Sequence, residues 1–153
     1  MAYELRAALP LLIPKAIAWA EAQSSSIGQI GQPLDEDLLS VARSVGVMRP
    51  ELIRVSEVPQ LPLPEDPELR QAALETGLIG PNMIGMTFGY GIYVCHGHGT
   101  IRLLSHEFRH TFQYEKAGSI AEFLPAYLQQ IVTVGYHNAP FEIDARAHER
   151  HHA

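Results

Sequence analysis

The sequence predicts an α+β fold: a mostly helical single domain over residues 1–153, with a small antiparallel hairpin or edge sheet just ahead of a polar helix. Three observations carry that prediction. Apolar residues recur at helical spacing in stretches at both ends of the chain. Residues that favour strands, punctuated by glycines, are concentrated in the middle. No internal repeat, low-complexity tract or domain boundary interrupts the 153 residues, of which 46% are hydrophobic. A domain of this size buries roughly 70% of the surface of its unfolded chain, enough for a proper core.

In chain order, Ile13, Ile17, Trp19 and Ala20 fit a helix over Ile13–Ala22, with Pro14 in its first turn, where proline is tolerated. "SSSIGQIGQPL" reads as a turn region. "LDEDLLSVARSVGV" predicts a second helix with Asp35 as N-cap, Asp37 favouring the positive helix start, and Gly46 as the stop. "ELIRVSEV" alternates in part and predicts a short strand. The prolines of "PQLPLPEDP" deny ladder donors, so this stretch is an extended connector or a covering segment, and residues 59–67 are a candidate cover for a cleft. "PELRQAALETGLIG" predicts a third helix, with Pro67 near its start and Gly77 near its end. "MIGMTFGYGIYVCHGHG" predicts the hairpin or bulged edge strand. Helices follow over about 101–116, 119–134 and 139–150, the last with Asn138 as candidate N-cap.

Charge and composition narrow the function. A net charge of -6 with no basic run argues against a nucleic-acid partner. The lone Cys95 cannot form an internal disulfide. The apolar N-terminal stretch is broken by Pro10, Pro14 and Lys15, and Glu4 sits where a signal peptide requires positive charge. No run is long enough for a membrane helix. These features predict a soluble, cytoplasmic protein with no membrane partner.

The chemistry concentrates in "RLLSHEFRHTFQYEKAG". Residues i and i+4 stack on one helix face, so His106 and His110 can offer two imidazoles to one ion at a separation fixed by the backbone. Glu107 follows the first of them and is placed to act as general base. Ile101, Leu104, Phe108 and Phe112 form an apolar stripe on another face, which would anchor the helix. A third ligand is needed. All eight histidines lie after residue 95, and His96, His98, His137, His148, His151 and His152 compete with Glu115, Glu122, Glu142 and Asp144. We favour Glu142. The segment 119–134 is long enough for the chain to go out and back, the first turns of the last helix then face the site, and the small Ala145 allows close helix approach.

His106-Glu107-x-x-His110 followed by Glu142-x-x-Ala145 resembles the gluzincin metallopeptidases. The wider chain, through "AWAEAQ", "VGVMRPELIRV", "GMTFGYGIYV" and "GYHNAPFEIDAR", is similar to a family of small, uncharacterised bacterial proteins that carry the label of zinc metallopeptidase. The resemblance implies a zincin-like domain over 1–153, with Zn²⁺ held by His106, His110 and Glu142 and with Glu107 polarising water. It implies a peptide or protein substrate aligned along the edge strand of the 83–95 region, and a Tyr or His for the oxyanion, with Tyr136, His137 and Tyr114 as candidates. One position departs from the family pattern: Arg146 stands where those enzymes carry the aspartate that supports a zinc-binding histidine, so Asp144 or a backbone carbonyl would have to replace it. Minimal single-domain members can be held latent by a segment in the cleft. The alternative is a non-catalytic protein whose zinc ties helices together and whose hairpin edge binds a partner. "CHGH" reads as a turn, "HERHHA" as a frayed tail, and Trp19, Phe108, Phe112, Phe123 and Tyr127 as core.

Overall fold

The computed structural model describes residues 2–80 and 82–153. Its elements run α1 (Ala2–Ile30), α2 (Glu36–Ser44), a 3₁₀ turn (Pro50–Leu52), β1 (Arg54–Val58), α3 (Pro67–Glu75), β2 (Gly85–Phe88), β3 (Gly91–Cys95), α4 (Ile101–Ala117), α5 (Ile120–Val134) and α6 (Pro140–Ala147). This is the expected α+β architecture. The hairpin β2–β3 forms as anticipated, and β1 joins β3 in parallel to give a three-stranded mixed sheet of order β1-β3-β2.

The largest departure from expectation is α1. The helix expected over Ile13–Ala22 runs for 29 residues, with Pro10 and Pro14 inside it, and absorbs most of the expected turn region. Each proline removes one backbone donor, which argues against a helix locally. Packing overrides that cost. Leu9, Leu12, Ala16, Ala20 and Ile27 lie on one buried stripe, and the helix packs along α5 and across the sheet. The sheet accommodates it at Gly91, where an added Cβ would lie 3.1 Å from Ile27.

The shorter helices follow their local signals. Asp35 accepts from Leu38 N at 2.9 Å, Asp66 from Leu69 N at 3.0 Å, and Ser119 from Glu122 N at 3.1 Å. Gly46 (φ +106°) ends the α2 segment, and a Cβ there would meet the Phe112 ring at 2.9 Å. α6 differs from expectation. It spans Pro140–Ala147, and Ala139, not Asn138, holds the cap position, with no side-chain cap bond. The start of α6 is served from α5 instead, because Gln130 Oε1 accepts from Phe141 N at 3.0 Å.

α4 divides the interior. On one side Leu103, Leu104 and Phe108 pack with Val41, Val45 and Ile53 and with Ile92 and Val94 of the sheet. On the other lies a larger cluster built from α1, α3, α5 and the hairpin, with Phe88, Tyr114, Phe123 and Tyr127 among its members. The anchoring stripe predicted for α4 belongs to the first cluster, with Ile101 and Phe112 at its margin. Among the described residues no helix is long and apolar enough to cross a membrane.

Candidate metal centre

His106 and His110 project from successive turns of α4 toward the first turn of α6, where Glu142 meets them. Ala145, fully buried one turn further along α6, supplies the small residue that close helix approach requires. His106 Nε2 lies 3.1 Å from Glu142 Oε1, and His110 Nε2 lies 3.1 Å from Glu142 Oε2. The three potential ligand atoms fall within 4.8 Å of one another. Ligands of a tetrahedral zinc at 2.0–2.1 Å are separated by about 3.3 Å, so the donor set is suited in chemistry and in spacing to a small divalent cation. His106, His110 and Glu142 can therefore hold a metal ion.

The groups behind these three fix their orientation. His106 Nδ1 donates to Glu149 Oε2 at 2.9 Å. Gln113 Nε2 donates both to the Phe141 carbonyl and to Asp144 Oδ2, each at 2.9 Å. That leaves Gln113 Oε1 as the acceptor for His110 Nδ1, at 2.8 Å. Both imidazoles are thus anchored through Nδ1–H, which directs both Nε2 atoms to the centre. Tyr127 completes the arrangement by donating to Glu142 Oε2 at 2.6 Å. Glu142 is 1% exposed.

The sequence looked to Asp144 or a backbone carbonyl to stand in for the missing aspartate. Direct support for His106 comes instead from Glu149. Asp144 acts one step away, held by Arg109 at 2.8 and 3.2 Å and touching His110 only through Gln113. Arg146 turns outward and donates to the His137 carbonyl at 2.5 Å. The tail expected to be frayed is tied down at its start, since Arg150 N donates to Ser105 Oγ at 2.7 Å and Arg102 pairs with Glu149 at 3.4 Å.

Electrostatically the three residues form one unit. Burial disfavours a charge on His110, but the Glu142 carboxylate outweighs burial and lifts its pKa to about 9. His106 is raised by the same partner against the same opposition. Burial likewise works against the Glu142 carboxylate, yet hydrogen bonds from His106, His110 and Tyr127 hold its pKa well below the usual range. A cation held by these three residues would compete with protons for the imidazole nitrogens.

Glu107 points from the next position of α4 toward the hairpin. The Thr87 hydroxyl donates to its Oε1 at 2.8 Å. Gly85 leaves room for its other oxygen, since a Cβ there would lie 3.2 Å from Glu107 Oε2 and 3.2 Å from Leu103. Glu107, His110 and Glu142 all line a cavity of about 110 Å³ that extends between α1, α3 and α5. Tyr136 and Pro64, the latter from the proline-rich connector, also line this cavity. Burial first, and then the Glu142 charge, push the Tyr136 hydroxyl above its ordinary pKa, which keeps it a donor. His137 stands apart from this group: its side chain is exposed on the turn before α6.

The edge of β2 is partly occupied. Cys95 N donates to Ile84 O, so Ile84, Met86 and Phe88 face β3, and the backbone groups of Gly85 and Thr87 face outward. Of these, the Thr87 carbonyl accepts from Tyr114 Oη at 3.2 Å. Elsewhere the "CHGH" turn is dispersed, with Cys95 buried and exposed His96 paired with Glu57 at 3.3 Å.

Three functional side chains were missed by sequence reasoning. Tyr127 was read only as core. Gln113 lies three residues after His110 and seven after His106, and Glu149 lies seven after Glu142. Those spacings put each close to the face of its ligand, which was the available signal. The chain matches no protein-family model, no curated protein and no solved structure, so the geometry alone carries the functional reading.

Proposed function

We propose that this protein is a zinc-dependent hydrolase of amide bonds in peptides, with His106, His110 and Glu142 as the metal ligands. The observation that carries this reading is the placement of Glu107. It lines the same cavity as His110 and Glu142, with one oxygen held by Thr87 and the other lying against Gly85, where a side chain would crowd it. A purely structural metal site has no use for a positioned carboxylate facing a cavity.

A zinc ion held there would supply Lewis acidity. The chain's own groups divide the remaining work. Glu107 accepts a proton from the attacking water and returns it to the leaving nitrogen. Tyr136, kept protonated, donates to the oxyanion that develops on the substrate carbonyl. Glu149 and Gln113 hold the imidazole tautomers, and the apolar walls exclude bulk water.

One observation favours a second reading, a non-catalytic zinc protein whose ion ties α4 to α6: Glu142 is 1% exposed between those helices. The Tyr114 hydroxyl on the Thr87 carbonyl weighs against strand addition at the hairpin edge, for a substrate and a partner alike. Glu107→Gln separates the two. The hydrolase reading expects unchanged zinc content and a loss of about 10²- to 10⁴-fold in the hydrolysis of an unstructured protein substrate. Wild-type protein that binds zinc but shows no Glu107-dependent cleavage would favour the structural role.

A further inference from the structure

The cavity that ends at Glu107 has a shape that an ordinary side-chain pocket does not require. The α1 residues lining the cavity run from Leu5 to Ala20, a rise of about 22 Å, so its wall is elongated along the helix. Along α1 its wall is Leu5, Leu9, Leu12, Ala16 and Trp19, and α3 and α5 close it with further apolar side chains. Glu107, His110, Tyr136 and Glu142 of the candidate centre also line it.

A compact group would leave most of such a channel unfilled. A peptide strand would bring backbone amides into an apolar passage, where unpaired N–H and C=O groups are costly. A linear aliphatic chain carries no polar group along its length and gains from burial at every methylene. The small residues Ala16 of α1 and Ala73 of α3 both lie in its wall.

We infer that the channel binds an unbranched aliphatic acyl chain with its carbonyl at the Glu107 end, so that the preferred substrates are N-acyl amides of amino acids or peptides. This rests on the hydrolase reading for its chemistry: water adds across the acyl C–N bond, the C–N bond breaks, and a carboxylic acid and a free amine result, with no redox partner. The binding of the chain itself does not depend on the metal.

Two measurements test the inference. The first uses wild-type full-length protein, with and without zinc, in a displacement titration of a fluorescent fatty acid by hexanoic, octanoic, decanoic and dodecanoic acids. Affinity should rise about two- to fourfold per added methylene in both forms. Ala16→Trp and Ala73→Trp should each weaken dodecanoate binding at least tenfold while hexanoate changes little, and circular dichroism checks that each variant is folded. Affinity independent of chain length in wild-type protein would overturn the inference even if neither variant folds. The second measurement compares N-dodecanoyl-glycine with N-acetylglycine as substrates of the zinc-loaded protein, and kcat/KM should favour the longer chain by at least a hundredfold. Glu107-dependent peptide cleavage without chain-length dependence overturns the acyl assignment and leaves the hydrolase reading standing. Chain-length-dependent binding in a protein with no Glu107-dependent hydrolysis overturns the hydrolase reading and leaves the channel.

Discussion

On the sheet-facing side of α4, Leu104 and Phe108 pack with Ile53, Ile92 and Val94 into a closed apolar cluster, and Phe108 is 0% exposed. Around the rest of the same helix, Glu107 and Tyr114 reach Thr87 of β2 and His110 and Gln113 face α6, where they meet hydrogen-bond partners and a cavity. The first side fixes the position of the helix; the second uses that position. A metal centre needs ligand atoms held in place before the ion arrives, and a helix clamped along one stripe provides that rigidity to the other. The ligand face is stabilised differently, by charge and hydrogen bonding within a buried set whose members each find a partner. Among the described residues no buried side-chain nitrogen or oxygen lacks one.

Substitutions on the two sides should therefore separate stability from metal affinity. The largest expected effect is that of Phe108→Ala, which leaves a cavity in the closed cluster and should cost about 3–5 kcal/mol in chemical denaturation. The fraction that remains folded should still bind zinc with one-to-one stoichiometry. Glu149→Gln tests the other side. It keeps the shape of the side chain but removes the charge that anchors His106 Nδ1–H, and zinc affinity should fall about 10- to 100-fold in a competition titration with a chelator. Thermal stability of the metal-free protein should change far less than it does for Phe108→Ala. The smallest effect is expected at the edge of the closed side, where Asp35→Ala removes the α2 cap and should cost about 1 kcal/mol with zinc affinity unaltered. A fall in zinc affinity from Asp35→Ala as large as that from Glu149→Gln would contradict the separation.

Much of the site was legible because its signals are local. The i, i+4 spacing of His106 and His110 needs only a helix, and the helix declares itself by Leu104, Phe108 and a Thr100 cap that accepts from Leu103 N at 3.2 Å. Glu142 could be picked out because the topology required a returning helix and Ala145 permits its approach. What escaped depends on packing between distant segments. The length of α1 is decided by burial of Ile27 against Gly91, which no propensity around Pro10, Pro14 or "SSSIG" reports. The parallel pairing of β1 with β3 joins residues 54–58 to 91–95, separated by a helix, and no turn signal specifies it. Glu149 was passed over because its neighbours in "HERHHA" look like a solvated tail. Only its position two turns beyond Glu142 hinted that it faces the site, and its partner His106 lies 43 residues away. The same holds for the start of α6, where Gln130 from α5 does what a local cap residue was expected to do.

The proposed hydrolase requires that His106, His110 and Glu142 bind one metal ion and that this ion is zinc. The most direct measurement is metal analysis of protein purified without added metal, wild type beside His110→Ala, together with anomalous diffraction at the zinc absorption edge. Wild-type protein should carry about one zinc per chain and the variant little, with a single anomalous peak between the two Nε2 atoms and the Glu142 carboxylate. Equal zinc content in the two proteins, or a peak away from these three side chains, would contradict it.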